Sequence, residues 1–446
     1  MVEVKLEKSL ASLSRQNVQS TLAGMQGLLR RSVWVTGNNK YRADIANIAK
    51  KSPPRNANEE RDLAQCISAS AILHATDGWG YLARAANCLI AGDPHRALHF
   101  AYYAELRASM ALLAGDGIGI LNDTHFAVRG KDRVKKLPLK MGTHGAVWPV
   151  LDHWAAMQRS WTLFSEIVKP QGITLHDWFQ PTGGLNQISA VISSWFRLWG
   201  MDLQTVKDDR HSRNVSSYGP DGIPAQWQIA SPPALEFVQE LWRMLEPSPQ
   251  SRFEGIDLHL LRISLEASFR GQSGRAASAT DAAFVRFVTT TVQHTAFQDK
   301  QEKALIDFLI RALNPADPPL FIHAMKKPTG TANDVFFLMS RAALLLRAAT
   351  GSAKDLLFQA GFSDADIEFW VNAIGETRGL WAPGARPPLI ADLWTDVSDA
   401  LNDVDQIRIA NPQPLQSTHG TLISLSHQLT TLCSYERAGL WGVCSA

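Results

Sequence analysis

Three observations predict a mainly α-helical fold assembled from helical bundle modules. Apolar residues recur at three- and four-residue steps through most of the chain, period-two alternation is rare, and Pro, Gly and polar clusters interrupt the stripes where helices would end. The stretch Asn56 to His74 opens with Asn and acidic residues and then sets Leu63, Cys66, Ile67 and Ala71 on one face. Asp93-Pro94 starts a second helix, with a carboxylate for the free amides and a proline whose fixed φ suits the first turn. That helix is expected to run to about Leu113 and stop at Gly115. A further stripe comprises Val191, Ile192, Trp195, Leu198 and Trp199. Others lie at Leu235 to Leu245, Leu258 to Phe269, Phe284 to Ala296, Ala304 to Leu313, Val335 to Ala349, Leu389 to Leu401 and Leu422 to Leu432. Strand-like sequence is confined to Gly117 to Val128, which reads as a short hairpin or a folded loop.

A chain of 446 residues implies roughly two or three domains. With 45% hydrophobic and 19% charged residues, it is neither disordered nor fibrous. Its formal net charge of +2 gives no global attraction for nucleic acid, so such binding needs a local patch. No run reaches about 18 uninterrupted apolar residues, and the charged start, Met1 to Lys5, lacks the apolar stretch of a signal peptide. The four cysteines, Cys66, Cys88, Cys433 and Cys444, form no Cys-x-x-Cys pair. A reduced, cytoplasmic protein is expected. Seams at Lys51 to Pro54 and Glu246 to Ser251 divide the chain into an N-terminal helical segment (1–50), a helical domain (57–246) with an insertion at 115–185, and a C-terminal helical domain (252–446).

The densest polar cluster is Asp208 to Pro220. Within it Arg213 can fork two donors onto a phosphate, and Asn214 offers both a donor and an acceptor. His211 can exchange a proton near neutral pH, and Tyr218 can donate a hydrogen bond. A charge-balanced surface loop explains the same residues. On the helix begun by Pro94, residues Arg96, His99, Tyr103 and Arg107 follow at steps of three, four and four and so share a face. That face is a solvated surface or the wall of a polar cleft that would suit a phosphate-rich ligand. Arg129, Lys131, Arg133, Lys135, Lys136 and Lys140, relieved only by Asp132, make the strongest local field for a polyanion.

The helix Ala97 to Leu113, with Tyr102-Tyr103, resembles the second long helix of HEPN domains, and Arg213-Asn214 to Tyr218 resembles their Arg-polar…His signature. The whole chain also resembles YaaC-like bacterial proteins. This resemblance implies an N-terminal HEPN-like bundle followed by a second helical module. It also implies metal-independent action on RNA, or RNA or nucleotide binding, in a bacterial phage-defence setting. Residues 57 to 220 carry the match. The sequence departs from the signature at Tyr218, which stands where the family has His; a phenol with a pKa near 10 is a poor base at neutral pH. Arg213 would then stabilise the phosphate, Tyr218 would orient it, and His211 or His99 would transfer the proton. Asn214, Arg96, Tyr103 and Arg107 would contribute to binding.

Other signals point less far. A literal Arg-x6-His at Arg252 to His259 is matched by about two such spacings expected by chance. His95 and His99 have chelating spacing but no evident third ligand, so no metal and no cofactor is expected. The expected partners are RNA or a nucleotide and a protein encoded in the same operon, with no membrane and with assembly as a homo-oligomer or hetero-complex. The alternative function is a non-catalytic scaffold or regulatory subunit that docks a partner enzyme through helical surfaces.

Overall fold

The computed structural model describes residues 2–184, 186, 188–196, 199, 228–295, 299–312 and 315–444. The fold is mainly helical, with three short strands among the described residues. Its centre is a trio of helices, Ala57–Ile90, Pro94–Gly115 and Asp334–Gln359, which pack more extensively on one another than on other elements. Asn56 caps the first by accepting from the amides of Asn58 and Glu59, and Asp93 caps the second by accepting from Arg96 N at 3.0 Å. The second ends at Gly115, as Asp93-Pro94 and Gly115 predicted. The first continues well past His74, because Gly78 and Gly80 lie within it rather than ending it. A Cβ on Gly78 would sit 2.5 Å from Leu346 Cδ2, so the missing side chain is what lets these helices approach closely.

Asp334–Gln359 is long and apolar enough to cross a membrane by composition, but 94% of its apolar window is buried inside the protein. Trp79 Nε1 donates to Thr350 Oγ1 on that helix at 2.8 Å, and the Trp79 ring stacks on Phe253 with centroids 6.1 Å apart. One continuous buried cluster runs from Leu6 to Cys444 and includes residues on both sides of the Glu246 to Ser251 segment. Two ion pairs are sealed into this core. Arg341 Nε lies 3.6 Å from Glu105 Oε1, and Arg347 grips Asp257 through Nε at 2.8 Å and Nη2 at 2.7 Å. Asp257 also accepts from Lys169 N and Ser251 Oγ, so one carboxylate ties three segments together.

The strand-like sequence forms an antiparallel sheet in the order β1 (Ile118–Gly119), β2 (Phe126–Gly130) and β3 (Arg133–Lys136). The basic run therefore contains an edge strand. Val128 pairs with Val134 over a second, smaller cluster that contains Leu63, Ile67 and Phe126. Asp132 turns the hairpin at a φ of 61°, a left-handed conformation that a short Asp side chain tolerates.

Candidate functional site

The stripe predicted on Pro94–Gly115 exists, and it runs from solvent into the protein. Arg96 is 78% exposed at its outer end and lies 3.4 Å from Asp93. His99 follows, with its ring 4.9 Å from Tyr103 and 5.7 Å from Phe100. Tyr103 stacks on Tyr81 at 5.3 Å and meets His144 edge-on at 5.8 Å. At the inner end Arg107 Nε lies 2.8 Å from Asp77 Oδ2, and its Nη1 donates to His74 Nδ1 at 3.3 Å. Burial and then the Arg107 charge push His74 down to about 3, which keeps its imidazole neutral.

The partners of this stripe were in the sequence. His74, Asp77, Tyr81 and Arg84 succeed one another at steps of three, four and three on Ala57–Ile90. Matching that second stripe to the first would have identified the facing residues. Together they make a half-buried patch of Tyr81, His99, Phe100, Tyr103 and His144, with Arg84 over the Tyr81 ring at 5.1 Å. Behind it the buried Tyr102 places its hydroxyl 3.0 Å from His144 Nδ1. Burial also lowers His95, against the opposing pull of Asp93. Aromatic rings, two imidazoles and the Arg84 guanidinium therefore meet on one half-buried surface. The arrangement can stack planar rings and contact anions.

His211, Arg213, Asn214 and Tyr218 lie outside the described residues. Among the described residues no three His, Cys, Asp or Glu form a cluster suited to a metal ion.

The hairpin is a separate basic surface. Lys131, Arg133, Lys135, Lys136 and Lys140 are all exposed, whereas Arg129 is half-buried and its Nε has no hydrogen-bond partner among the described residues. Arg133 lies 3.5 Å from Glu60. Four residues after Lys140 the chain reaches His144, at the start of helix Thr143–Ala155, so the hairpin leads directly into the aromatic patch.

A cavity of about 360 Å³ elsewhere had no local signal. Its lining includes Lys169, Arg252, Lys354 and Asp364, which come from four separate segments, with Phe253, Leu357, Phe362 and Ile367 as apolar wall. His259, the partner of Arg252 in the Arg-x6-His spacing, packs instead against Phe308 and Phe321.

In comparisons with protein-family models, curated proteins and solved structures, nothing matches this chain.

Proposed function

We propose that the chain binds RNA, with bases stacked on the Tyr81/Tyr103 surface and the phosphate backbone held by Arg84, Arg96 and the hairpin cations. The observation that carries this reading is the half-exposed, stacked Tyr81–Tyr103 pair with Arg84 over it and His99 and His144 beside it. Single-stranded nucleic acids are held by this combination of π-faces and cations, each stacked base being worth about 1–3 kcal/mol. Arg107 is a positioning residue here, because Asp77 neutralises it. The HEPN resemblance assigns any cleavage to Arg213, with Tyr218 orienting the phosphate and His211 or His99 moving the proton without a metal.

Anisotropy of a fluorescent single-stranded RNA tests binding. Tyr81→Ala and Tyr103→Ala are each expected to weaken it about five- to hundred-fold, the range that one lost stack implies. Unchanged affinity in both variants overturns the reading. Incubating RNA in EDTA with wild type and with Arg213→Ala tests cleavage; RNA left intact by the wild type removes the nuclease step.

A second reading, a scaffold that docks a partner enzyme, has support of its own. Ile409 is 78% exposed and Ile423 is 65% exposed, on the C-terminal helices Leu393–Ala410 and Thr418–Ser424. Co-purification with the product of a neighbouring gene, lost in Ile409→Asp with Ile423→Asp, would favour it over RNA binding.

A further inference from the structure

The cavity beside Lys354 has the composition of an anion site, and no part of the RNA reading uses it. Helix Asp334–Gln359 supplies Lys354, Leu357 and the floor residue Gly351; the segment before helix Glu254–Ser273 supplies Arg252 and Phe253. Phe362, Asp364 and Ile367 enter from the start of helix Asp364–Thr377, and Lys169 from the turn after helix Gln158–Ile167. A volume of about 360 Å³ lies at the small end of the range for small-molecule sites.

The charges decide what it can hold. Arg347 also lines the cavity, but its charge is offset by Asp257, and its Nη2 also donates to the Ile167 carbonyl at 2.7 Å. Asp355 is likewise held by Arg15 at 3.0 Å. Glu166 is exposed at the mouth, 3.9 Å from His176. That leaves Lys169, Arg252 and Lys354 against Asp364 and Glu166. Among the described residues Lys354 donates to the Cys444 carbonyl at 3.3 Å, and no carboxylate lies at ion-pair distance of the Lys169 or Arg252 side chain. Three cations and two carboxylates leave one net positive charge around a partly desolvated space. Burial, followed by the Arg252 charge, lowers Lys354 to about 8 despite the opposing pull of Asp364.

Three cations converging on one space suit an anion that presents several oxygens. Arg252 provides a planar fork for two oxygens, and the lysines act as point charges. Phe362, Leu357 and Ile367 offer an apolar surface for whatever carries the anion. We propose that this cavity binds a small phosphate monoester, its phosphate among Lys354, Arg252 and Lys169 and its organic body on the wall formed by Phe362, Leu357 and Ile367.

Calorimetric titration of the full chain at pH 7 with phenyl phosphate, inorganic phosphate and benzoate tests the assignment. Phenyl phosphate is expected to bind at least tenfold more tightly than benzoate, which lacks the second charge, and more tightly than inorganic phosphate, which lacks the ring. Arg252→Gln, at a half-buried residue whose side chain holds no hydrogen bond among the described residues, is expected to lose at least tenfold in affinity for phenyl phosphate, and Lys354→Met at least as much. No binding of phenyl phosphate to the wild type, benzoate binding equally well, or full affinity in Arg252→Gln would each overturn the proposal. RNA affinity in Arg252→Gln is expected to equal wild type, so failure here and failure of the RNA reading give different results.

Discussion

Arg107 is bound to Asp77: its Nε lies 2.8 Å from the Asp77 Oδ2, and its remaining reach is spent on His74. A guanidinium that spacing alone offered to a ligand is thereby turned into a brace between two central helices. Replacing it acts mainly on its neighbours. In Arg107→Gln the His74 imidazole loses a facing cation, so its pKa is expected to rise above about 3 while burial still holds it below the ordinary histidine range. Nuclear magnetic resonance titration of His74 reads this directly; a value that stays put or falls would contradict the assignment. Because the pair is partly exposed, the stability cost is expected to stay near 1 kcal/mol.

Acid should destabilise the protein through its histidines. Burial lowers His74 to about 3 and His259 and His323 to about 4. The unfolded chain takes up protons near pH 6.5, whereas these folded-state sites resist until about pH 4 or below. Protons thus favour the unfolded state across that window, and stability is expected to fall as pH drops from 6.5 to 4. Scanning calorimetry of wild type and His323→Phe should show a shallower decline in the variant; equal slopes would refute the contribution of His323.

Lys354 makes the opposite prediction at alkaline pH. Its folded pKa of about 8 lies below the unfolded value near 10.5. Between those values only the unfolded chain holds the proton, so this group adds stability as pH rises through the window, and below pH 8 its burial penalty is present in full. Lys354→Met is therefore expected to raise the melting temperature at pH 7 and to flatten the dependence from pH 8 to 10. A lower melting temperature at pH 7 would show that the ammonium stabilises the ligand-free fold.

The sealed pair of Asp257 and Arg347 predicts a large loss on cutting one partner. Asp257→Asn leaves a buried guanidinium without its counter-charge and is expected to cost about 3–5 kcal/mol. Urea unfolding followed by tryptophan fluorescence checks it, and a loss under about 1 kcal/mol would mean that the carboxylate contributes little.

The hairpin predicts a salt effect. If Lys135 and Lys136 contact single-stranded phosphates, replacing both with Gln should reduce the slope of log affinity against log salt by about 1.4, roughly 0.7 per contact. Lysines on an edge strand also discourage edge-to-edge pairing, so aggregation is measured alongside. A variant that aggregates but keeps the wild-type salt slope assigns the lysines to that protective role.

Local signals made the helix ends legible. Asp93-Pro94 and Gly115 bracket a real helix because caps and proline act within one turn. The basic run was harder to place, since β3 is only four residues long and its charges mask the single half-buried Val134 that seats it. The stripe of Arg96, His99, Tyr103 and Arg107 was correctly put on one face, and Asp77 opposite Arg107 became legible only by matching it to the second stripe on Ala57–Ile90. The cavity was invisible in principle: Lys169, Arg252, Lys354 and Asp364 share no period, and only tertiary packing brings them together.

The Glu105–Arg341 pair has a consequence for biogenesis. Glu105 is translated long before Arg341, yet neither tolerates burial without the other, and the helix that carries Arg341 also covers the apolar faces of Ala57–Ile90 and Pro94–Gly115. A nascent chain halted in its middle would expose greasy surface around an acid that has no counter-ion. Ribosome-bound intermediates of this protein should therefore engage chaperones until the last third of the polypeptide emerges, with the final collapse occurring late and all at once.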